Sequence, residues 1–227
     1  MNENNRQIII FGNFNNLNAA EVFTKLANIR KRHNYQQAVA QNPNGITITT
    51  NGPSYFATFY SPDGKESAAF STTQIVFQED NCDINTYTNF IKRGFDFIEE
   101  AIKLLQLNVS RIACNGALCD SNAEHARNIY EKAFNHDGVF YKPKSDEWDF
   151  SVNDKTKENN IDCEINQIIR VIRGDDGILG PNGIINAPLI IVYDYNTSQN
   201  NTRPLTEKEI KAFPNLAISF RDKVKNI

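Results

Sequence analysis

INTYTNFIKRGFDFIEEAIKLLQL, residues 84–107, holds one period from end to end. Tyr87, Phe90, Ile91, Gly94, Phe97, Ile98, Ala101, Leu104 and Leu105 recur at three- and four-residue steps, which places them on one face of a helix. Lys92, Arg93, Asp96, Glu99, Glu100 and Lys103 take the opposite face. Asp83 can cap the start, and Asn108 follows the end. At a rise of about 1.5 Å per residue the helix is roughly 35 Å long, enough to cross a sheet. Its apolar face needs a partner, and the flanking strands must supply it.

Upstream, Gln7–Phe14 (QIIIFGNF) reads as a strand buried on both faces. Asn18 with Glu21 forms a capping-box-like start and Leu17 with Val22 a hydrophobic staple, opening a helix that closes on Arg30, Lys31, Arg32 and His33. A meander of three strands follows, at Ile46–Thr49, Ser54–Ser61 and Ser67–Gln78, with a bulge expected near Ser71–Thr73. The long helix comes directly after this meander and is expected to pack across it.

Downstream, Val109–Leu118 reads as a strand, and Ser121 with Glu124 as the capping box of a helix. Short strands are expected at Val139–Tyr141 and Trp148–Val152, then an exposed polar segment at Asp154–Asn160. Ile161, Cys163 and Ile165 alternate with Asp162, Glu164 and Asn166, a strand with one wet face. A glycine-rich loop, 174–183, leads into a central strand at Pro188–Tyr193. Thr206 and Glu209 form a further capping box, and Pro214 is expected to kink or split the helix they start.

This order predicts an α+β fold: a largely antiparallel sheet with the long amphipathic helix and further helices packed on one face. Residues 1–227 read as a single domain, with a two-lobe division near residue 120 as the alternative. The chain is 40% hydrophobic and 22% charged with a net charge of −3, an ordinary globular composition with no global pull toward nucleic acid or anionic membrane. The polar N-terminus and the short apolar runs point to a cytoplasmic protein without a membrane span. Four scattered cysteines do not make a disulfide framework.

Asp63-Gly64, the helix 84–107 and Val109-Ser110-Arg111-Ile112-Ala113 sit in an order that resembles a sporadically distributed family of uncharacterised bacterial proteins. In that family a DG turn, a strand and a long amphipathic helix precede a strand opening V-x-R-[IL]-G. The likeness covers about Tyr55–Leu118, roughly a quarter to a third of the chain. It departs after Ala113, where the family continues with an arginine, an aromatic and an asparagine and this chain has Cys114-Asn115-Gly116-Ala117. The resemblance implies a bacterial α+β protein and no particular activity.

Three constellations could carry chemistry. Cys114, Cys119, His125 and His136 are zinc-ligand types, but their spacings lack the close C-x₂₋₄-C and His pairs of structural zinc, so small strand residues and surface histidines are the simpler reading. Asp162 and Glu164 on one strand face, with Asp194, are the carboxylates of a metal-dependent hydrolase or nuclease. The lysine such a site often carries two residues on is Asn166, and a solvated strand face explains the pair more simply. The loop after Arg173 has no phosphate-loop lysine and no EF-hand register.

The expectation is a non-enzymatic protein-interaction or accessory protein of a bacterial cell or mobile element, without cofactor. Recognition is assigned to the second half, through Arg173, Asp175, Asp176 and Asn182 of the loop and the segment Asp154–Asn160. The partner is expected to be a protein. A metal-dependent hydrolase or nuclease whose carboxylates converge only in the fold is the alternative, and an oligomeric chaperone-like binder a further one.

Overall fold

The strand expected at Gln7–Phe14 runs as β1 (Asn2–Gly12) through the middle of an antiparallel sheet. The computed structural model describes residues 1–39, 54–134, 137–138, 147–173, 178–180, 183–185 and 187–227. β2 (Gln36–Val39), β3 (Ala57–Tyr60), β4 (Glu66–Phe70) and β5 (Gln74–Cys82) form one flank, and β6 (Val109–Asp120) lies on the other side of β1. β7 (Trp148–Glu158), β8 (Ile161–Arg173) and β11 (Leu189–Thr197) come from the second half. The order is β2-β3-β4-β5-β1-β6-β11-β8-β7, nine strands with every pairing antiparallel. β9 (Ile178–Gly180) and β10 (Gly183–Ile185) make a separate small hairpin. The two halves of the chain are therefore two flanks of one sheet, joined along β6 and β11.

Helices α1 (Ala19–Lys25), α2 (Ala27–Arg32), α3 (Tyr87–Leu105), α4 (Ala123–Ala133) and α5 (Glu207–Lys225) accompany it. α3 crosses β1 and β5 as its stripe requires. Gly94 faces the sheet so closely that a Cβ there would come within 2.4 Å of the Ile8 side chain and 2.8 Å of the Phe77 ring. Asp83 accepts from the Asn85 amide at the 3₁₀ turn Ile84–Thr86 that leads in, and Gln106, at φ 55°, ends the helix in the left-handed region. α3 also buries a second stripe. Phe95 packs 6.2 Å from Phe213 of α5, while Leu104, expected inside, is 37% exposed. α1 reaches the same sheet face through Phe23 on Phe59, α4 through Tyr130 on Trp148, and α5 through Phe213 on Tyr195. The largely antiparallel sheet with helices on one face is the α+β architecture the sequence implies.

Several local expectations change. The long third strand of the meander is two strands: the main chain turns at Ser71–Thr73, with Phe70 opposite Ile75 and the Ser71 amide bonded to the Gln74 carbonyl at 2.9 Å. A turn reverses the strand where a bulge would only shift it, and both disturb the alternation of apolar residues. The first helix is broken at Leu26 into α1 and α2. α4 is capped by Asn122, whose side chain accepts from Glu124 and His125, in place of Ser121. Asp154–Glu158 continues β7, because an edge strand needs only its backbone pairing to β8 and tolerates polar side chains on both faces. α5 runs through Pro214 without splitting, held by Phe213 and Ala217, which are 0% and 1% exposed. The strand expectations at Ile46–Thr49 and Val139–Tyr141 lie outside the described residues.

Candidate functional site: a polar cleft beside the last helix

Residues 157–164, the turn joining β7 to β8, form one wall of a cleft of about 800 Å³. Arg203, Thr206, Lys208 and Glu209, at the start of α5, form the other. The capping box expected at Thr206 is present: the Thr206 hydroxyl accepts from the Glu209 amide, and the Glu209 carboxylate accepts from the Thr206 amide at 2.7 Å. That same carboxylate does more than cap. It accepts from Arg203 Nη1 at 2.9 Å and Nη2 at 2.5 Å, from the Thr206 hydroxyl at 2.8 Å, and from the Asp162 amide at 2.8 Å. Glu209 thus fastens the start of β8 to the start of α5. The Arg203 hydrogen bonds, with those of Thr206 and Asp162, hold its carboxyl well below the usual carboxylate range against the opposing effect of burial.

The other charged groups of the cleft stay at its rim. The Asp162 side chain is 99% exposed, with Arg203 Nη2 3.7 Å away. Glu164 pairs with Lys155 at 3.1 Å. Cys163 sits between them, and burial pushes its thiol up, the wrong direction for a nucleophile at neutral pH. The cleft is suited to binding polar or mixed-charge groups. Its one shielded carboxylate is fully engaged by the protein's own donors.

Asp162 and Glu164 do share a side of β8, two residues apart. Asp194 does not join them: it lies opposite Ile168, four residues beyond Glu164, or about 13 Å along the strand. Burial raises the Asp194 carboxyl, Arg111 lies near it, and its Oδ1 is buried without a hydrogen-bond partner. Cys114 and Cys119 are five residues apart on β6, an odd spacing that sends them to opposite faces of the sheet. His125 Nδ1 lies 2.7 Å from Asp120 Oδ2, and His136 is outside the described residues. Among the described residues no group of three or more His, Cys, Asp or Glu side chains is placed to hold a metal ion. Arg173 ends β8 opposite Trp148, and Asp175, Asp176 and Asn182 lie outside the described residues.

A second charged assembly was not anticipated. Glu3, Arg6 and Arg221 are buried beneath the start of α3, each 1% exposed or less. Glu3 accepts from Arg6 and Arg221 at 3.1 Å each and from the Tyr193 hydroxyl at 2.6 Å. Arg6 also donates to Glu79 at 2.6 Å and to Thr86 at 2.7 Å, and lies 4.8 Å over the Phe90 ring. Arg221 donates to the Ile84 carbonyl at 2.9 Å. The sequence signal is a cation standing on an apolar stripe: Arg6 in step with Ile8 and Ile10, and Arg221 in step with Phe213, Ala217 and Val224. This cluster ties β1, β5, α3 and α5 together and has a structural role.

No described helix is long and apolar enough to cross a membrane. No family model matches the chain, and no curated protein matches it. Among solved structures it is similar to the duplicated taurocyamine kinase from Schistosoma mansoni with bound transition state analog components, at 11% identity and a TM-score of 0.33. That alignment covers 96% of this chain and 33% of the other, so this chain spans about a third of that protein's length. A likeness at that level carries no argument about fold or activity.

Proposed function

We propose that this chain is a non-enzymatic protein-interaction or accessory protein of a bacterial cell or mobile element, and that the cleft beside α5 is its recognition surface. The observation that supports this reading is the state of Glu209. The shielded carboxylate of this cleft accepts five hydrogen bonds from the protein itself, which fixes it as an anion. What remains facing outward is a rim of both signs, Lys157, Glu158, Asp162, Glu164 and Lys208, on a rigid frame of strand and helix. Such a rim selects a partner by charge pattern. Part of the segment 154–160 lines this cleft, and the loop after Arg173 belongs to the same half of the chain.

The test reverses the cationic rim. Lys157→Glu with Lys208→Glu should lower affinity for a protein partner isolated from the native host by at least about tenfold, a loss of about 1.4 kcal/mol, with the melting temperature unchanged. Unaltered binding would remove the cleft from the interface. Loss of a hydrolytic turnover in Asp162→Asn with Glu164→Gln, with partner binding intact, would establish the metal-dependent hydrolase instead.

A further inference from the structure

We infer that β7 is a self-pairing edge, by which two copies of this chain join their sheets across a two-fold axis at Val152. The two edges of the sheet differ. β2 is four residues long, whereas β7 is eleven, and it pairs with β8 and with no other described strand. β7 contains no proline, and its pairing with β8 stays in register from Trp148 to Lys157. Sheets blunt such an edge with prolines, bulges or charges, because its unpaired N–H and C=O groups accept another strand. β7 has its one register shift at its end, after Lys157, and its charges are of both signs.

Geometry restricts how two such edges can meet. Antiparallel pairing of identical strands needs a two-fold axis normal to the sheet, and this keeps each face on its own side. Only registers centred on a residue satisfy that condition. Centring on Asp154 or Lys155 sets a like charge against its own copy. Centring on Val152 sets Asp149 opposite the partner's Lys155 and Lys155 opposite the partner's Asp149, both within the paired length of β7. Within β7, centring on Ser151 gives no complementary pair, and centring on Asn153 sets Asp149 against the partner's Lys157, next to the register shift that ends the regular pairing.

Two further observations favour the Val152 register. Val152 is 55% exposed, one of two large apolar side chains so placed among the described residues, and this register covers it with its own copy. Asp149 already pairs with Arg170 across the sheet at 2.5 Å, and Lys155 with Glu164 at 3.1 Å. Joining the edges links these pairs into a ladder of alternating sign, Arg170–Asp149–Lys155–Glu164, running across the seam twice. This pairing uses the outer backbone of β7 and its charges and shares Glu164 with the rim of the cleft, but the positions that test it, 149, 152 and 155, lie outside the cleft's lining.

Sedimentation velocity over a concentration series should show the full chain moving from 25.8 kDa toward twice that mass. Val152→Lys should raise the dissociation constant at least about tenfold without changing the melting temperature at low concentration. Asp149→Lys and Lys155→Glu should each weaken self-association, and an equimolar mixture of the two should restore it, since each seam pair is then again of opposite sign. A chain that stays monomeric at its solubility limit would overturn the inference. So would a dimer indifferent to Val152→Lys, or a charge-reversed mixture that associates no better than its components.

Discussion

The ion cluster under α3 and the ion pairs along β7 and β8 both join carboxylates to basic side chains at similar distances. Arg6 meets Glu3 at 3.1 Å and Arg170 meets Asp149 at 2.5 Å, so by distance alone the second pair is the stronger. Their surroundings reverse that ranking. Both side chains of the first pair are 0% exposed, whereas those of the second are 51% and 44% exposed. A buried ion deprived of its partner is left uncompensated in a low-dielectric interior, while an exposed one returns to water. Solvent access, and not the length of a contact, decides what a charged pair contributes here.

The buried side should show the largest effect. Glu3→Ala leaves Arg6 with Glu79 alone among its carboxylates and leaves Arg221 and Tyr193 without their shared acceptor. Urea denaturation should report a loss of about 3–5 kcal/mol. The helix covering the cluster comes next. Gly94→Leu forces atoms into space already held by Ile8 and Phe77 and should cost about 1–3 kcal/mol. A rise in melting temperature, as for replacing an exposed helical glycine, would contradict the packing described for α3.

Glu209 stands between the two regimes, with its side chain 6% exposed and that of its partner Arg203 36% exposed. Glu209→Gln keeps the shape and removes the charge, and should cost about 1–2 kcal/mol near neutral pH. The folded carboxyl is held below its unfolded value of about 4.3. Its contribution is therefore fully present above that value and lost as the pH falls through the lower folded one. Stability curves of wild type and Glu209→Gln should accordingly converge in acid. The smallest effect belongs to the exposed ladder: in dilute, monomeric protein Arg170→Ala should change stability by less than about 1 kcal/mol.

The parts of this fold that could be read from the sequence are those set by local periodicity. The stripe of α3, the cap of Asn18, the capping box at Thr206 and the alternation of β8 each follow from residues a few positions apart. The turn at Ser71–Thr73 was half legible, since lost alternation marks a change in the strand without saying whether it bulges or reverses. β7 was legible only as far as Val152, because its continuation depends on pairing with β8 and not on apolar content. Pro214 does not split α5 for a related reason: burial of its neighbours outweighs one missing hydrogen bond. The site residues are set by distant pairings. Asp162 and Glu164 share a side by their own spacing, but the position of Asp194 depends on the register of β11 with β8. Glu209 was visible as a cap, whereas its bonds to Arg203 and to the Asp162 amide join separate parts of the fold.

The comparison between the two charged assemblies is tested most directly by salt. Unfolding free energies of wild type, Glu3→Ala and Asp149→Ala should be measured in dilute, monomeric protein at ionic strengths from about 0.01 to about 1 M, over which the screening length falls from about 30 to about 3 Å. The loss in Glu3→Ala should stay near 3–5 kcal/mol throughout, because solvent ions do not reach the cluster. The loss in Asp149→Ala should begin at no more than about 1 kcal/mol and vanish as salt rises. Equal losses in the two variants, or a Glu3→Ala loss that salt erases, would contradict the account.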